Sequence, residues 1–336
     1  MQSYLLESFG SGVAGLQLAE RPEPIPGPSD VIIRVRARSL NFRDLRILEG
    51  LYPIPATSGV VALSDGAGDV AAVGSAVTRV KAGDRVVAAY FPRWVDGRFS
   101  LSMATEQFGC TRDGMLAPLV AVPEAAVVRI PDDLSFEEAA TLPCAGATAW
   151  AALHGPRPLA AGESVLTLGT GGVALAALQF AKALGATVIA TTSSAAKVER
   201  VRALGADVVI NYRDQPDWSQ AVRAATGGRG VDHVVETGTI GTLMPSVTAL
   251  ATEGELALVA ALDPGQIEAR ALFANATSLR RIYVGSRAHL EAAVELISSA
   301  GIRPIIDRVF RFSEARDAYT HAATRQQFGK VVIIDD

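Results

Sequence analysis

Cysteine is nearly missing from this chain of 336 residues, which carries only Cys110 and Cys144. Two thiols are too few for a disulfide framework, and they cannot form a four-cysteine zinc lobe. An excess of one charge is missing as well. Lys and Arg number 31 against 35 Asp and Glu, a net charge of −4. With no basic tract, neither nucleic acid nor an anionic membrane is an expected partner. Long hydrophobic runs are also lacking. The most apolar helix-like stretch, residues 172–184, is broken by Gln179 and Lys182 and is too short to span a bilayer. The first residues, Met1-Gln-Ser-Tyr-Leu-Leu-Glu7, have no basic segment and do not read as a secretory signal. The expected setting is cytoplasmic, with no membrane partner.

What is present falls into two grammars, and the length itself suggests two domains. Residues 1–125 read as β-rich, with short apolar or alternating runs at 31–38, 60–63 and 85–89 separated by Gly, Pro and Asp. The stretch Arg21-Pro-Glu-Pro-Ile-Pro-Gly-Pro28 has four prolines in eight positions and is expected to be loop or edge. At Ser135, followed by Glu137 and Glu138, a hydroxyl-capped helix begins. From Glu163 onward strands and helices alternate: strands at 164–168, 187–191, 208–210, 231–236, 255–260 and 281–285, with helices at 173–184, 195–204 and 218–225. That alternation means a parallel, doubly wound sheet. The last strands, near 305–310 and 330–334, are expected to return to the first domain. The expected division is 1–125 with 300–336 for one domain and 126–299 for the other.

Gly169-Thr-Gly171-Gly-Val-Ala174 lies between an expected strand and an expected helix. It is the G-x-G-x-x-A form of the dinucleotide fingerprint. The first glycine allows the tight turn, the second lets backbone approach a pyrophosphate, and the small third residue lets helix and strand pack closely. Helix N-terminal amides then hold the phosphates. NAD sites usually place an acid about 20 residues further on to bind the ribose 2′-hydroxyl. Here the second strand ends Thr191-Thr192-Ser193-Ser194-Ala-Ala-Lys197, with no carboxylate. Hydroxyls and a lysine suit a 2′-phosphate, so NADPH is the expected cofactor.

The pairing of these halves resembles the medium-chain dehydrogenase/reductase family, which joins a GroES-like barrel to a Rossmann domain. The resemblance rests on Leu40-Asn-Phe-Arg-Asp44, Asp65-Gly-Ala-Gly-Asp-Val-Ala-Ala-Val-Gly74, Lys81-Ala-Gly-Asp-Arg-Val86, Leu142-Pro-Cys-Ala-Gly-Ala-Thr-Ala-Trp150 and Gly329-Lys330-Val-Val. The set is similar to the zinc-free, quinone oxidoreductase-like (zeta-crystallin-like) branch. Where zinc-dependent relatives carry ligands, this chain has Asn41, the segment Leu63-Ser64-Asp65, and Cys144. One thiol with an amide and a hydroxyl is not a zinc site, so no metal is expected. Phe91, Pro92 and Trp94 are read as core, or else as an apolar wall of the cleft.

The resemblance implies hydride transfer from NADPH to a quinone, an enone or a substituted acrylate. Alcohol dehydrogenase (or aldehyde reductase) chemistry and a non-catalytic NADPH-binding sensor are the alternatives. It implies Asn41 and Tyr52 as polar groups beside nicotinamide and substrate, with Asp44 expected to orient neighbours by pairing with an arginine. For the cofactor it implies Asn41, Thr148, the loop Gly169, Thr170, Gly171, Gly172 and Val173, then Thr192, Ser193, Ser194, Lys197 and Tyr212. Thr237, Ala260, Ala261, Leu262, Val284, Ser286 and Lys330 complete that set. It also implies a homodimer formed through the edge of the Rossmann sheet.

Overall fold

Alternation of apolar and polar residues builds the strands of the first unit, and hydroxyl or amide caps start its helices. The computed structural model describes residues 1–260, 264–267, 269–273 and 277–336. Two compact units divide it: Met1–Ala147 with Gly285–Asp336, and Thr148–Val284.

In chain order the first unit carries β1 (Gln2–Leu6), β2 (Leu16–Glu20), β3 (Asp30–Ser39), β4 (Val60–Val61), β5 (Asp65–Val73), β6 (Arg85–Ala88), β7 (Leu119–Pro123) and β8 (Val127–Arg129). The second carries β9 (Ser164–Leu168), β10 (Thr187–Thr192), β11 (Val208–Asn211), β12 (Val231–Glu236), β13 (Leu250–Leu258) and β14 (Ser278–Arg281). The chain then returns to the first unit with β15 (Ile306–Arg311) and β16 (Lys330–Ile334).

A seven-stranded sheet runs β15-β16-β3-β5-β6-β8, with β7 also paired to β3. A smaller sheet runs β2-β1-β4. Strand β16 joins β3 antiparallel, Val332 opposite Ser39, and so ties the end of the chain to its beginning. Against the division expected near residues 125 and 300, the first unit extends to Ala147 and resumes at Gly285. The physical reason is pairing and packing. Strand β8 continues the sheet through Val86 opposite Arg129. Helix Arg287–Ala300 has its first amides bonded to the loop at Trp94 and Val95 (Arg287 N to Trp94 O 2.9 Å, Ala288 N to Val95 O 3.0 Å). Leu16, Ile33, Val86, Phe108 and Met115 lie in one buried apolar cluster with Tyr319 and Ile333.

The second unit is a six-stranded sheet in the order β11-β10-β9-β12-β13-β14. Every pairing in it is parallel. The order reverses between β9 and β12, so the carboxyl ends of those two strands flank the switch point where such sheets bind ligands. Leu166, Ile189, Val234 and Leu256 are in its core.

Two expected strands are shorter than the sequence suggests. The run at 60–63 pairs only through Val60 and Val61, because Leu63 takes a left-handed φ of 67°. The strand expected over 281–285 ends at Arg281, since Val284 has φ 53° and turns the chain toward the next helix. Neither conformation fits a ladder. Among the described residues, no helix is long and apolar enough to cross a membrane.

Candidate functional site

Helix Phe42–Leu48 begins at Asn41 and ties its own first turn together. Asn41 N donates to Asp44 Oδ2 at 2.8 Å, and Arg43 Nη1 lies 3.3 Å from Asp44 Oδ1. Asp44 is therefore paired with an arginine and is buried. Burial pushes its carboxyl up to about 6, against the pull of Arg43 and of the Asn41 amide. The Asn41 side chain is held from two directions. Lys330 Nζ donates to Asn41 Oδ1 and to Leu40 O, both at 2.5 Å. Asn41 Nδ2 faces Ser64 Oγ at 3.4 Å, a long contact, and Ser64 Oγ donates to Asp65 Oδ1 at 2.7 Å. Asp65 Oδ2 accepts from Cys144 N at 3.0 Å. A line of hydrogen bonds thus runs from an ammonium through the Asn41 amide to a carboxylate.

These contacts bear on metal binding. Among the described residues, no group of three or more His, Cys, Asp and Glu is placed to hold a metal ion. An amide oxygen already facing an ammonium is a poor site for a second cation. Both Asp65 oxygens already have donors, from Ser64 Oγ and Cys144 N. The donor set does not fit zinc.

Tyr52 is half-buried. Its hydroxyl lies 3.0 Å from Gln107 Oε1 and 3.1 Å from Tyr90 Oη. The Arg43 guanidinium sits 5.2 Å from the Tyr52 ring centroid, so Asn41 and Tyr52 are linked through Asp44 and Arg43. Phe91 and Trp94 are 4% and 6% exposed and pack with Phe99, which makes them core rather than wall. Tyr90 and Gln107 carry no signal in the sequence, where Arg43 stands out only as part of its motif. Their contacts join positions far apart in the chain.

In the second unit the glycine-rich loop leaves β9 at Gly169, whose φ of 78° suits glycine. Gly169 N donates to Thr191 O at 3.0 Å, joining the loop to the end of β10. Gly171 starts helix Gly172–Ala183 with φ −79°, and a Cβ added there would meet nothing within 4 Å. Free helix-start amides, an open approach over Gly171 and half-buried Val173 fit a pyrophosphate.

Lys197 reaches back from the helix after β10, its Nζ 3.2 Å from Thr170 Oγ1. Half-buried Ser193 leads to Ser194, which begins that helix and donates its N–H to Thr192 Oγ1 at 3.2 Å. Tyr212 is exposed, and its N–H bonds Thr192 O at 3.0 Å. The structure therefore brings Thr170, Thr192, Ser193, Ser194, Lys197 and Tyr212 around the ends of β9 to β11. No carboxylate ends β10.

At the next strand end Thr237 Oγ1 donates to Leu168 O at 2.7 Å, and Ala260 N bonds Glu236 O at 3.3 Å. Buried Glu236, another residue not expected, accepts from Gly238 N, Thr242 Oγ1 and Ser246 Oγ and shapes this loop. Thr148 is buried in helix Ala147–Leu153. Val284 ends the second unit, whereas Ser286 belongs to the first, where its hydroxyl caps a helix by accepting from His289 N. Ala261 and Leu262 lie outside the described residues.

A model of the alcohol dehydrogenase GroES-like domain matches residues 27–132, and a zinc-binding dehydrogenase model matches 172–299. A zinc-type alcohol dehydrogenase-like protein of Schizosaccharomyces pombe is 39% identical over 91% of this chain and 91% of its own. The chain belongs to the medium-chain dehydrogenase/reductase family. A quinone oxidoreductase of Pseudomonas aeruginosa is 32% identical, covering 92% of each chain, which places the quinone oxidoreductase-like branch among this dehydrogenase/reductase's relatives. A crystal structure from Sinorhizobium meliloti, provisionally named an alcohol dehydrogenase, superposes with TM-score 0.92 at 40% identity over 99% of this chain and 98% of that one. A mycobacterial protein in complex with NADPH matches with TM-score 0.83 at 28% identity, covering 99% of each. The GroES-like and Rossmann halves expected from the sequence are those of this family, and its members are oxidoreductases.

Proposed function

We propose that this medium-chain dehydrogenase/reductase is a zinc-independent, NADPH-dependent reductase of quinones and carbonyl-conjugated alkenes. The observation that carries the reading is the Lys330–Asn41 contact. By the family resemblance, Asn41 takes the place of the first zinc ligand of zinc-dependent relatives; here its amide oxygen faces an ammonium, and among the described residues the donor set around it does not suit a metal. Without a Lewis acid, oxidation of an alcohol is disfavoured. Reduction of a conjugated acceptor asks less, because the developing charge appears on an oxygen that hydrogen-bond donors can hold. Bound NADPH would supply the hydride.

The chain's own residues supply position and field. Asn41, polarised by Lys330, offers an amide N–H to the substrate oxygen, and Tyr52 offers a phenol. In the second unit Gly169, Thr170, Gly171, Gly172 and Val173 take the pyrophosphate. Ser193, Ser194 and Lys197 with Thr192 and Tyr212 take the adenosine 2′-phosphate. Thr148, Thr237, Ala260, Val284, Ser286 and Lys330 remain as further cofactor contacts in this proposal. Lys197 beside Thr170, with no acid at the end of β10, supports NADPH over NADH. Neither Cys110 nor Cys144 forms a disulfide, as suits a reducing, cytoplasmic setting. Strand β14 is the outer strand of its sheet, and Leu279 on it is exposed. We propose that this edge pairs with a second copy, since an unpaired outer strand is otherwise a liability. Light scattering would test the dimer.

The deciding experiment follows NADPH absorbance with chelator-treated protein and a panel of quinones, enones, acrylates and aldehydes. Turnover of conjugated acceptors, unchanged by chelation, is expected. Turnover of aldehydes alone, restored by zinc, would overturn the reading in favour of an alcohol dehydrogenase. Tight NADPH binding with no turnover would point to a sensor.

A further inference from the structure

Tyr52 stands at one corner of a buried polar cluster within the first unit. Its oxygen and that of Tyr90 both lie 3.0 Å from Gln107 Oε1, and the two phenol oxygens are 3.1 Å apart. The Gln107 amide has only one suitable orientation, because its Nε2 donates to Ala104 O at 2.7 Å. Oε1 is therefore the acceptor facing the phenols. Arg43 is buried under both rings, its guanidinium 5.2 Å from the Tyr52 centroid and 5.0 Å from the Tyr90 centroid. Arg43 Nη1 donates to Phe108 O at 2.8 Å, and Nη2 reaches toward Gln107 Oε1 at 3.4 Å.

Counting protons shows what this arrangement allows. Three donors converge on one amide oxygen, which has two lone pairs. Tyr90 is 2% exposed, and its recorded acceptors are Gln107 Oε1 and Tyr52 Oη, so its proton stays inside the cluster. Burial also pushes its phenol well above the usual value, which keeps that proton in place. Tyr52 is half-buried, so its proton is the one that can leave. When the Tyr52 O–H turns outward, Gln107 Oε1 keeps Tyr90 and Arg43 as donors. No buried acceptor is orphaned, and the usual penalty for breaking a buried hydrogen bond does not arise.

We propose that Tyr90, Gln107 and Arg43 are positioning residues that make Tyr52 the proton donor to the substrate. This rests on the reductase reading. The conjugated substrate accepts hydride from the nicotinamide at its β-carbon, and the C=C electron pair moves to form an enolate. The Tyr52 O–H bond breaks, its proton forms the new C–H bond at the α-carbon, and tyrosinate remains. Tyr90 then donates to that tyrosinate, the Arg43 cation stabilises it through the ring, and solvent restores the proton. The balance is one hydride and one proton added across the double bond, with the nicotinamide oxidised.

The test compares Y52F, Y90F, Q107L and Q107E. Steady-state kinetics with an enone and NADPH are measured beside the 13Cζ tyrosine NMR resonances of protein without cofactor. Y52F identifies the Tyr52 resonance and should lower kcat by roughly 100-fold. Y90F and Q107L should shift the Tyr52 resonance and lower kcat by about tenfold with little change in KM, and Q107E, which keeps an acceptor, should restore part of the loss. Y90F keeps the ring and carries the test if Q107L fails to fold. Y90F activity within about two-fold of the parent, or an unmoved Tyr52 resonance, would overturn the proposal. A parent protein with no turnover of any conjugated acceptor would instead sink the reductase reading, while the resonance still reports whether the cluster acts on Tyr52.

Discussion

Lys330 Nζ and Asn41 Oδ1 lie 2.5 Å apart although 289 positions separate them in the chain. The contact depends on β16 lying against β3, the strand that leads directly to Asn41. An ammonium on Oδ1 fixes which way the amide faces, since the reverse orientation would put Nδ2 against a cation. It also withdraws electron density from the amide and strengthens the N–H groups as donors. A buried lysine thus does locally what a bound cation does in other sites: it orients a ligand-facing group and sets a positive field.

Replacing Lys330 with Met should therefore act in two ways. It leaves two acceptors, Leu40 O and Asn41 Oδ1, without their donor, at a cost on the order of 1–3 kcal/mol seen in thermal unfolding. It also frees the Asn41 amide to turn, and kcat should fall on the order of tenfold or more. NADPH affinity, measured by fluorescence titration, should change less than kcat. A loss carried by affinity instead would show that Lys330 acts chiefly through its cofactor contact and not through Asn41.

Lys197 should decide between the two nicotinamide cofactors. Its ammonium sits over Thr170 in the fingerprint loop, and a charge-assisted bond to a phosphate contributes roughly 1.5–3 kcal/mol. Lys197→Ala should weaken NADPH binding by roughly ten- to a hundredfold and leave NADH nearly unchanged, as calorimetry would show. Equal loss for both would place the lysine away from the 2′-phosphate.

How much of this was legible in the sequence follows from the range of each interaction. The fingerprint loop, the missing acid after β10 and the hydroxyl cap at Ser135 are local patterns, and each stands where expected. Strand ends were less legible. Val284 and Leu63 are β-branched or bulky residues with left-handed backbones, a choice made by packing rather than by propensity. The cluster of Tyr90, Gln107 and Arg43 was invisible for a different reason. Gln107 meets Tyr52 across 55 positions, and no periodicity records a contact between two loops from separate parts of the chain.

Two glycines that look alike in the sequence should behave in opposite ways. A Cβ on Gly68 would lie 1.9 Å from Arg34 O, a backbone atom of the neighbouring strand, so Gly68→Ala must force β3 and β5 apart. A loss of at least about 3 kcal/mol is expected. Gly171 has an ordinary φ and no neighbour within 4 Å, so Gly171→Ala should melt within a degree or two of the parent, roughly 0.5 kcal/mol. Its methyl group would instead stand in the path of a pyrophosphate, and nucleotide affinity should drop. Unchanged affinity would mean that the loop does not hold phosphate.

Asp44 should give the protein a specific dependence on pH. Burial raises its carboxyl to about 6 in the folded chain, outweighing Arg43 and the Asn41 amide, whereas the ordinary value is 3.8. Between those values the folded state holds more protons than the unfolded state, so stability falls as pH rises. The contribution is complete below about pH 4 and is lost by about pH 7, at most about 3 kcal/mol. Asp44→Asn keeps an acceptor for the Asn41 amide, weakens the pairing with Arg43 and removes this titration. The variant should be less stable than the parent at acid pH, and the gap should close or reverse as pH rises from 4 to 7. Urea unfolding of both proteins across that range reads the difference directly. A gap that stays constant with pH would mean that Asp44 is ionised throughout, and that Arg43 outweighs burial.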